Sequence, residues 1–202
     1  MIDITKENII LENERVLLRP LAVEDMRFLL PFSLNEADIF KYSLISPGGG
    51  KEALADYITV THLQKELGKE YAFIVFDKKA GQYAGSTRFY DIQVMHQTTQ
   101  LGYTWYGKNF QRSGLNRHCK LLLLEFAFEK WGMERVELRA DARNARSIQA
   151  MKDIGCTEEG LLRSNLALPH EPGLRRDTIV LSILKEEWVA KVKDHLISRI
   201  HP

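Results

Sequence analysis

Six consecutive residues, Gln111, Arg112, Ser113, Gly114, Leu115 and Asn116, carry the densest chemical signal in the chain. They stand where a strand pattern ends and a long helix pattern begins, and a helix N-terminus presents unpaired backbone N–H groups and a partial positive charge. A loop wrapped onto such an end can hold a pyrophosphate. Gly114 would allow close backbone approach, Ser113 adds a hydroxyl, and Arg112, Arg117 and Lys120 add charge-assisted contacts to phosphate. The same residues also suit a plain turn with an N-cap serine and solvated cations. A second signal is Asn144, a natural N-cap, with Ser147 three positions later in the first turn of a short helix.

Other reactive side chains are less informative. Cys119 falls on an apolar helix face and is expected in the core; Cys156 is expected to be packed too, and both reduced, because their spacing fits neither a metal knuckle nor a redox motif. His118 is expected on the exposed side of the same helix, and His96 lies in a polar loop. The glycine-rich stretch at 47–50 lacks the lysine and serine or threonine of a phosphate loop and reads as a flexible connector.

These residues need elements to position them. Residues 15–21 read as a strand and 22–30 as a helix stopped by Pro31; a second helix is expected over 51–67, with Leu54, Ile58 and Leu63 on one side and Gly68 ending it. Strands are expected at 71–76, 82–92 and 99–106, the first two joined by a turn at 77–81, giving three successive antiparallel strands. Leu115, Cys119, Leu122, Leu123, Phe126 and Ala127 recur at the spacing of one helix face, so a helix is expected over 115–131 with Gly132 as its stop. Strict alternation predicts a strand at 135–141. A helix at 145–154, strands at 160–168 and 175–184 around a hairpin turn at 169–173, and an outer helix at 185–200 complete the chain.

The chain has 202 residues, 45% hydrophobic and 27% charged, which suits one folded domain and excludes a disordered chain or a disulfide scaffold. Lys and Arg number 28 against 27 for Asp and Glu, a net charge of +1, so no general nucleic-acid footprint is present. The N-terminal residues lack a signal-peptide core and no apolar run approaches the about 18 residues of a membrane span. The expectation is a cytoplasmic protein with neither DNA nor membrane as partner.

The loop with Gln111, Gly114 and Asn116 resembles the acetyl-CoA motif of the GNAT N-acetyltransferase superfamily, Gln/Arg-x-x-Gly-x-Gly/Ala, with Asn116 departing from the usual small residue. Asn144 and Ser147, followed by Gly155 and by Glu159 and Gly160, resemble the ribosomal-protein N-terminal acetyltransferase (RimJ/RimL-type) branch. The likeness runs from about residue 15 to 188. It implies an α/β (α+β) GNAT fold with a mixed, mostly antiparallel central sheet flanked by helices, in a single domain over 1–202 with its core at about 15–184. It also implies acetyl-CoA as co-substrate and no metal.

Cofactor contacts are implied at Trp105, Tyr106, Gln111, Arg112, Ser113, Gly114, Leu115, Asn116, Asn144 and Ser147. Backbone N–H groups near Trp105 and Tyr106 would face the thioester oxygen, Asn144 would align the coenzyme, and Ser147 is the candidate hydrogen-bond donor to the leaving sulfur. Many relatives have a tyrosine where this chain has Met151, and the branch has a glutamate base where this chain has Leu166. The base is left open among Glu125, His170, Glu171 and a water chain, as is a homodimer. Direct attack in a ternary complex by a primary amine, either a protein N-terminus or a small molecule, is the implied reaction. The alternatives are a CoA-binding sensor or scaffold without turnover and, disfavoured by charge, an RNA-binding accessory protein.

Overall fold

The computed structural model describes residues 2–168 and 171–200. Among them are eight strands in one sheet, β1 (Leu11–Glu12), β2 (Val16–Pro20), β3 (Tyr71–Asp77), β4 (Gln82–Gln93), β5 (Thr98–Tyr106), β6 (Arg135–Asp141), β7 (Thr157–Ala167) and β8 (Arg175–Leu184). Their order is β1-β2-β3-β4-β5-β6-β8-β7, and every neighbouring pair is antiparallel except β5 with β6. The expected mixed, mostly antiparallel sheet is therefore present. The turn after β3 is fixed by Asp77, whose Oδ1 accepts from the amides of Lys79 and Ala80.

Helices cover both faces. On one face lie α1 (Met26–Asn35) and α2 (Lys51–Glu66), whose Leu29, Leu54, Tyr57 and Ile58 pack with Ala72, Ile74 and Trp105. On the other lie α3 (Leu115–Glu125) and α4 (Ala145–Asp153), which share a larger core with Leu18, Phe73, Phe89, Val136 and Leu138. The strands that separate the two cores alternate apolar side chains between them, as period-two geometry requires. β3 is buried on both faces, which explains its near-continuous apolar run.

Four expectations need correction. Pro31 does not stop α1 but sits inside it, on the exposed side, where water can take the carbonyl its missing N–H leaves open, while Leu29, Phe32 and Ser33 pack inward. Leu63 points outward at 52% exposure, and Tyr57 and Thr61 supply the buried face of α2 instead. The stretch at 47–50 is pinned, because the buried Ser33 hydroxyl donates to Pro47 O and accepts from the Gly50 amide at 3.0 Å. The C-terminal helical segment is not an outer addition. It comprises α5 (Lys185–Glu187), a π turn over Trp188–Val192 and α6 (Lys193–Ile200), and it buries Trp188, Val192 and Leu196 in the α3 core.

The long helix also departs from one regular cylinder. After Glu125 it continues as a π turn over Phe126–Trp131, and Gly132 ends it in the left-handed region at φ 83°. Trp131, Phe126 and Phe89 meet ring to ring in the core there. Shifting the hydrogen-bond pattern lets four of six consecutive side chains, Phe126, Ala127, Phe128 and Trp131, reach the interior.

Candidate active site

The site begins as a failure of strand pairing. β5 and β6 are paired only through Thr98–Arg135, Thr99–Val136 and Gln100–Glu137, and beyond Gln100 they separate. From Leu101 to Tyr106 the β6-facing edge of β5 therefore has no strand partner, leaving backbone donors and acceptors to face a cleft. On its other edge β5 carries a bulge: Gly102 pairs with Arg88 and Trp105 with Ser86, so Tyr103 and Thr104 oppose Thr87 alone. Tyr103 takes φ 47° there. The bulge turns Tyr103 toward the α1/α2 face, onto Arg88 and Tyr90, and Thr104 toward the α3 face, where its hydroxyl is 2.7 Å from that of Thr87. Gly85 is required beside it, because a Cβ there would lie 2.0 Å from Trp105 O.

The cleft has a volume of about 870 Å³ and passes through the sheet. Its α3/α4 mouth is lined by Gln111, Arg112, Gly114, Asn116, Asn144 and Ser147. Its other mouth is lined by Tyr42, Tyr90, Asp91, Tyr103, Arg139 and Arg176. Sequence motifs about thirty residues apart thus converge on one mouth.

At that mouth Gly114 is the N-cap of α3 with φ 85°, and the space its Cβ would fill is empty. Among the described residues the amides of Arg112, Ser113, Gly114 and Asn116 have no hydrogen-bond partner. Orphaned amides at a helix N-terminus beside open space fit a pyrophosphate. The Gln111 side chain braces the loop, with Nε2 donating to Tyr106 O at 2.9 Å and Oε1 accepting from Arg146 at 2.7 Å. Across the mouth, Asn144 Oδ1 accepts from the Ser147 amide at 3.1 Å, capping α4, while the Ser147 hydroxyl has no partner among the described residues.

Several expected contacts are placed differently. Ser113 uses its hydroxyl on Phe110 O at 2.6 Å, because that bond closes the turn ahead of α3. Leu115 is wholly buried, so only its backbone is near the mouth. Trp105 and Tyr106 are core aromatics by side chain: Trp105 meets Phe32 and Phe40 edge to face, and the Tyr106 hydroxyl donates to Asn116 Oδ1 at 3.2 Å. Asn116 thus exchanges the usual small residue for a bond that ties α3 to β5. Arg117 still lines the cleft beside Arg112, but its guanidinium donates to Arg199 O at 3.3 Å.

Lys120 is the largest correction. It is buried, and its Nζ donates to Thr104 Oγ1 at 3.0 Å inside the cleft rather than reaching toward phosphate. Burial lowers its pKa to about 8. The cation the sequence reading missed at the mouth is Arg146, and the signal was available: it sits in the first turn of α4 between Asn144 and Ser147.

Cys119 is fully buried and burial pushes its thiol up to about 12, as suits a core residue; Cys156 behaves alike, and both are free. His118 is largely covered, facing Asn13 and Glu14, because α3 packs against the β1–β2 turn. Of the candidate bases, Glu125 pairs with Lys193 away from the cleft and Glu171 pairs with Arg143; His170 lies outside the described residues. Met151 and Leu166 both line the cleft as apolar walls. Buried Asp141 accepts two hydrogen bonds from the Arg143 guanidinium at 3.0 and 2.9 Å; burial opposes its ionisation, but these bonds outweigh it and hold the carboxyl below its usual range. No group of three His, Cys, Asp or Glu side chains among the described residues could hold a metal ion, and none of their helices is long and apolar enough to cross a membrane.

Comparison with known proteins defines the class to which this fold belongs. The family model described as Acetyltransferase (GNAT) domain matches residues 15–157, and the chain belongs to the GNAT acetyltransferase family. It is an acyltransferase by that membership. YdaF of Bacillus subtilis (strain 168), whose name carries a provisional ribosomal N-acetyltransferase assignment, is 29% identical over 108 residues, 54% of this chain and 57% of that protein. The crystal structure of a GCN5-related N-acetyltransferase from Brucella melitensis superposes with a TM-score of 0.87 at 23% identity, covering 98% of this chain and 88% of that one. Spermidine N-acetyltransferase from Vibrio cholerae, in complex with CoA and spermine, superposes with a TM-score of 0.71 at 20% identity, covering 88% and 99%.

Proposed function

We propose that the protein transfers an acetyl group from acetyl-CoA to a primary amine that enters the cleft from the opposite face of the sheet. The observation that carries this reading is the through-sheet cleft, with an anion-binding helix end at one mouth and a separate polar mouth at the other. Bound at the α3/α4 mouth, acetyl-CoA supplies an activated thioester. The chain's own residues do the rest. Orphaned amides around Gly114, with Arg112 and Arg146 beside them, hold the phosphates. The uncovered edge of β5 near Trp105 and Tyr106 supplies amide donors for negative charge on the acetyl oxygen. Asn144 fixes the first turn of α4, and Ser147, its hydroxyl free, hydrogen-bonds the departing sulfur directly or through water.

Glu125 is remote, and the wall at Leu166 carries no carboxylate, so we assign removal of the ammonium proton to water in the cleft. An N-terminal amine with a pKa near 8 is about one-fifth neutral at physiological pH, far more than a lysine side chain, and needs little base. The resemblance to ribosomal-protein acetyltransferases favours a protein N-terminus, and a small amine fits the same mouth. The test is release of CoA thiol with acetyl-CoA and a panel of N-terminal peptides, amino acids and polyamines. The proposal requires thiol release matched one to one by N-acetylated product. Binding of acetyl-CoA without turnover of any amine would instead favour a sensor.

A further inference from the structure

On the α1/α2 side of the cleft nearly every charge is already paired. Arg139 donates to Glu137 at 2.6 Å, Asp141 is held by Arg143, and Asp91 accepts from Gln93 and Gln100 at 2.9 and 2.8 Å. Arg88, on β4, is buried too and its Nε and Nη2 are likewise unpartnered, but its Nη1 donates to Glu70 at 2.5 Å and its guanidinium lies over the rings of Tyr57 and Tyr103. Arg176 is different. It lines the cleft from β8 opposite Leu166, it is 6% exposed, and its Nε is buried without a partner. No hydrogen bond or ion pair to its other nitrogens is present among the described residues, since its carboxylate neighbour Asp141 is taken by Arg143. Two residues along the same strand face, the Thr178 hydroxyl is likewise buried and unpartnered.

A guanidinium does not shed its proton, and Asp141 acts on Arg176 only through space, so the buried donors of Arg176 are left without a hydrogen-bonded acceptor, which is costly. A planar fork of donors at the wall of an acceptor mouth is complementary to a planar anion. We propose that Arg176 receives a carboxylate of the acceptor, making the substrates amines that also carry a carboxylate; this rests on reading the cleft as the acetyl-transfer site. The partner is a carboxylate rather than a phosphate because Asp91 and Asp141 lie on the same side of the cleft, where a dianion would be repelled.

The experiment uses matched acceptors with the wild-type protein: an amino acid against its decarboxylated amine, a short peptide with an acidic side chain against its amide, and an amine bearing a phosphate. The expected result is a kcat/KM at least about tenfold higher for each carboxylate member, mostly through KM, since a charge-assisted bidentate contact is worth that much or more. Arg176→Gln should erase the difference and Arg176→Lys restore part of it. Equal kcat/KM within the pairs, preference for the phosphate, or an undiminished preference in Arg176→Gln overturns the proposal. If no acceptor turns over, calorimetric titration of the same pairs onto the protein saturated with CoA decides: no tighter binding of the carboxylate member overturns it. Should Arg176→Gln not fold, the wild-type pairs alone decide. Acetyl-CoA binding measured in parallel separates this failure from failure of the cleft assignment.

Discussion

Ser147 and Lys120 are the two residues at which the site asks for measurement. The Ser147 amide is held by Asn144 while its hydroxyl stays free at the cleft wall, so truncating it removes a donor without disturbing the cap. Ser147→Ala should lower kcat by about tenfold or more with little change in acetyl-CoA affinity, because an interaction made chiefly in the transition state is lost. Steady-state kinetics with titration of the coenzyme checks this, and an unchanged kcat removes Ser147 from the mechanism. Lys120 is a stability statement. Its folded pKa of about 8 lies below the 10.5 of the free side chain. Between those values the unfolded chain keeps the proton and the folded chain does not, so this residue's burden on stability is full below pH 8 and is relieved as pH rises toward 10.5. Lys120→Met should therefore raise the melting temperature at pH 7, by the equivalent of up to about 3 kcal/mol, and the gain should shrink toward pH 10. A gain that grows with pH would contradict the placement of that ammonium.

At the scale of elements, the proposed function depends on where β5 parts from β6. Gly85 permits the bulged end of β5 to lie against β4, since a side chain there would run into Trp105 O. Gly85→Ala should destabilise the fold by roughly 1 to 3 kcal/mol and weaken acetyl-CoA binding as well, because the displaced segment forms the cleft edge. Denaturant titration with and without acetyl-CoA distinguishes the two effects; a variant of native stability and affinity would show that the approach is not needed. The elements themselves were largely legible in the sequence. Alternation marked β6, the period of Leu115, Cys119, Leu122 and Phe126 marked α3, and Asn144 marked the start of α4. Pairing between distant strands was not legible, and that is what assigned Lys120 to the interior beside Thr104 and brought Arg176 to the second mouth. Local pattern reports which side of an element is apolar, but a lysine facing a cleft and one facing solvent look alike until the opposite wall is known. Arg146 was legible in principle, since a helix-start motif fixes its direction.

For the whole molecule, the single sheet divides two cores and one cleft joins its two faces. The larger core includes the C-terminal segment, where Trp188 is fully buried, stacks on Phe128 at 5.7 Å and donates from Nε1 to Glu129 at 2.9 Å. Trp188→Ala should cost roughly 3 to 5 kcal/mol, a cavity-forming loss visible in chemical denaturation, whereas a peripheral helix would lose little. This segment backs α3, so the proposed cofactor mouth depends on a part of the chain far from it in sequence.

The central claim is that the α3/α4 mouth of this cleft binds acetyl-CoA, and thermal denaturation with the coenzyme tests it directly. At a hundredfold excess over the dissociation constant, binding to the native state alone adds about 2.7 kcal/mol, or about 5 to 10 °C for a chain of this size. Gly114→Trp, which fills the space beside the orphaned amides, should abolish the shift while leaving a cooperative transition without ligand. A wild-type melting temperature unmoved by millimolar acetyl-CoA, or a full shift retained in Gly114→Trp, would contradict the account.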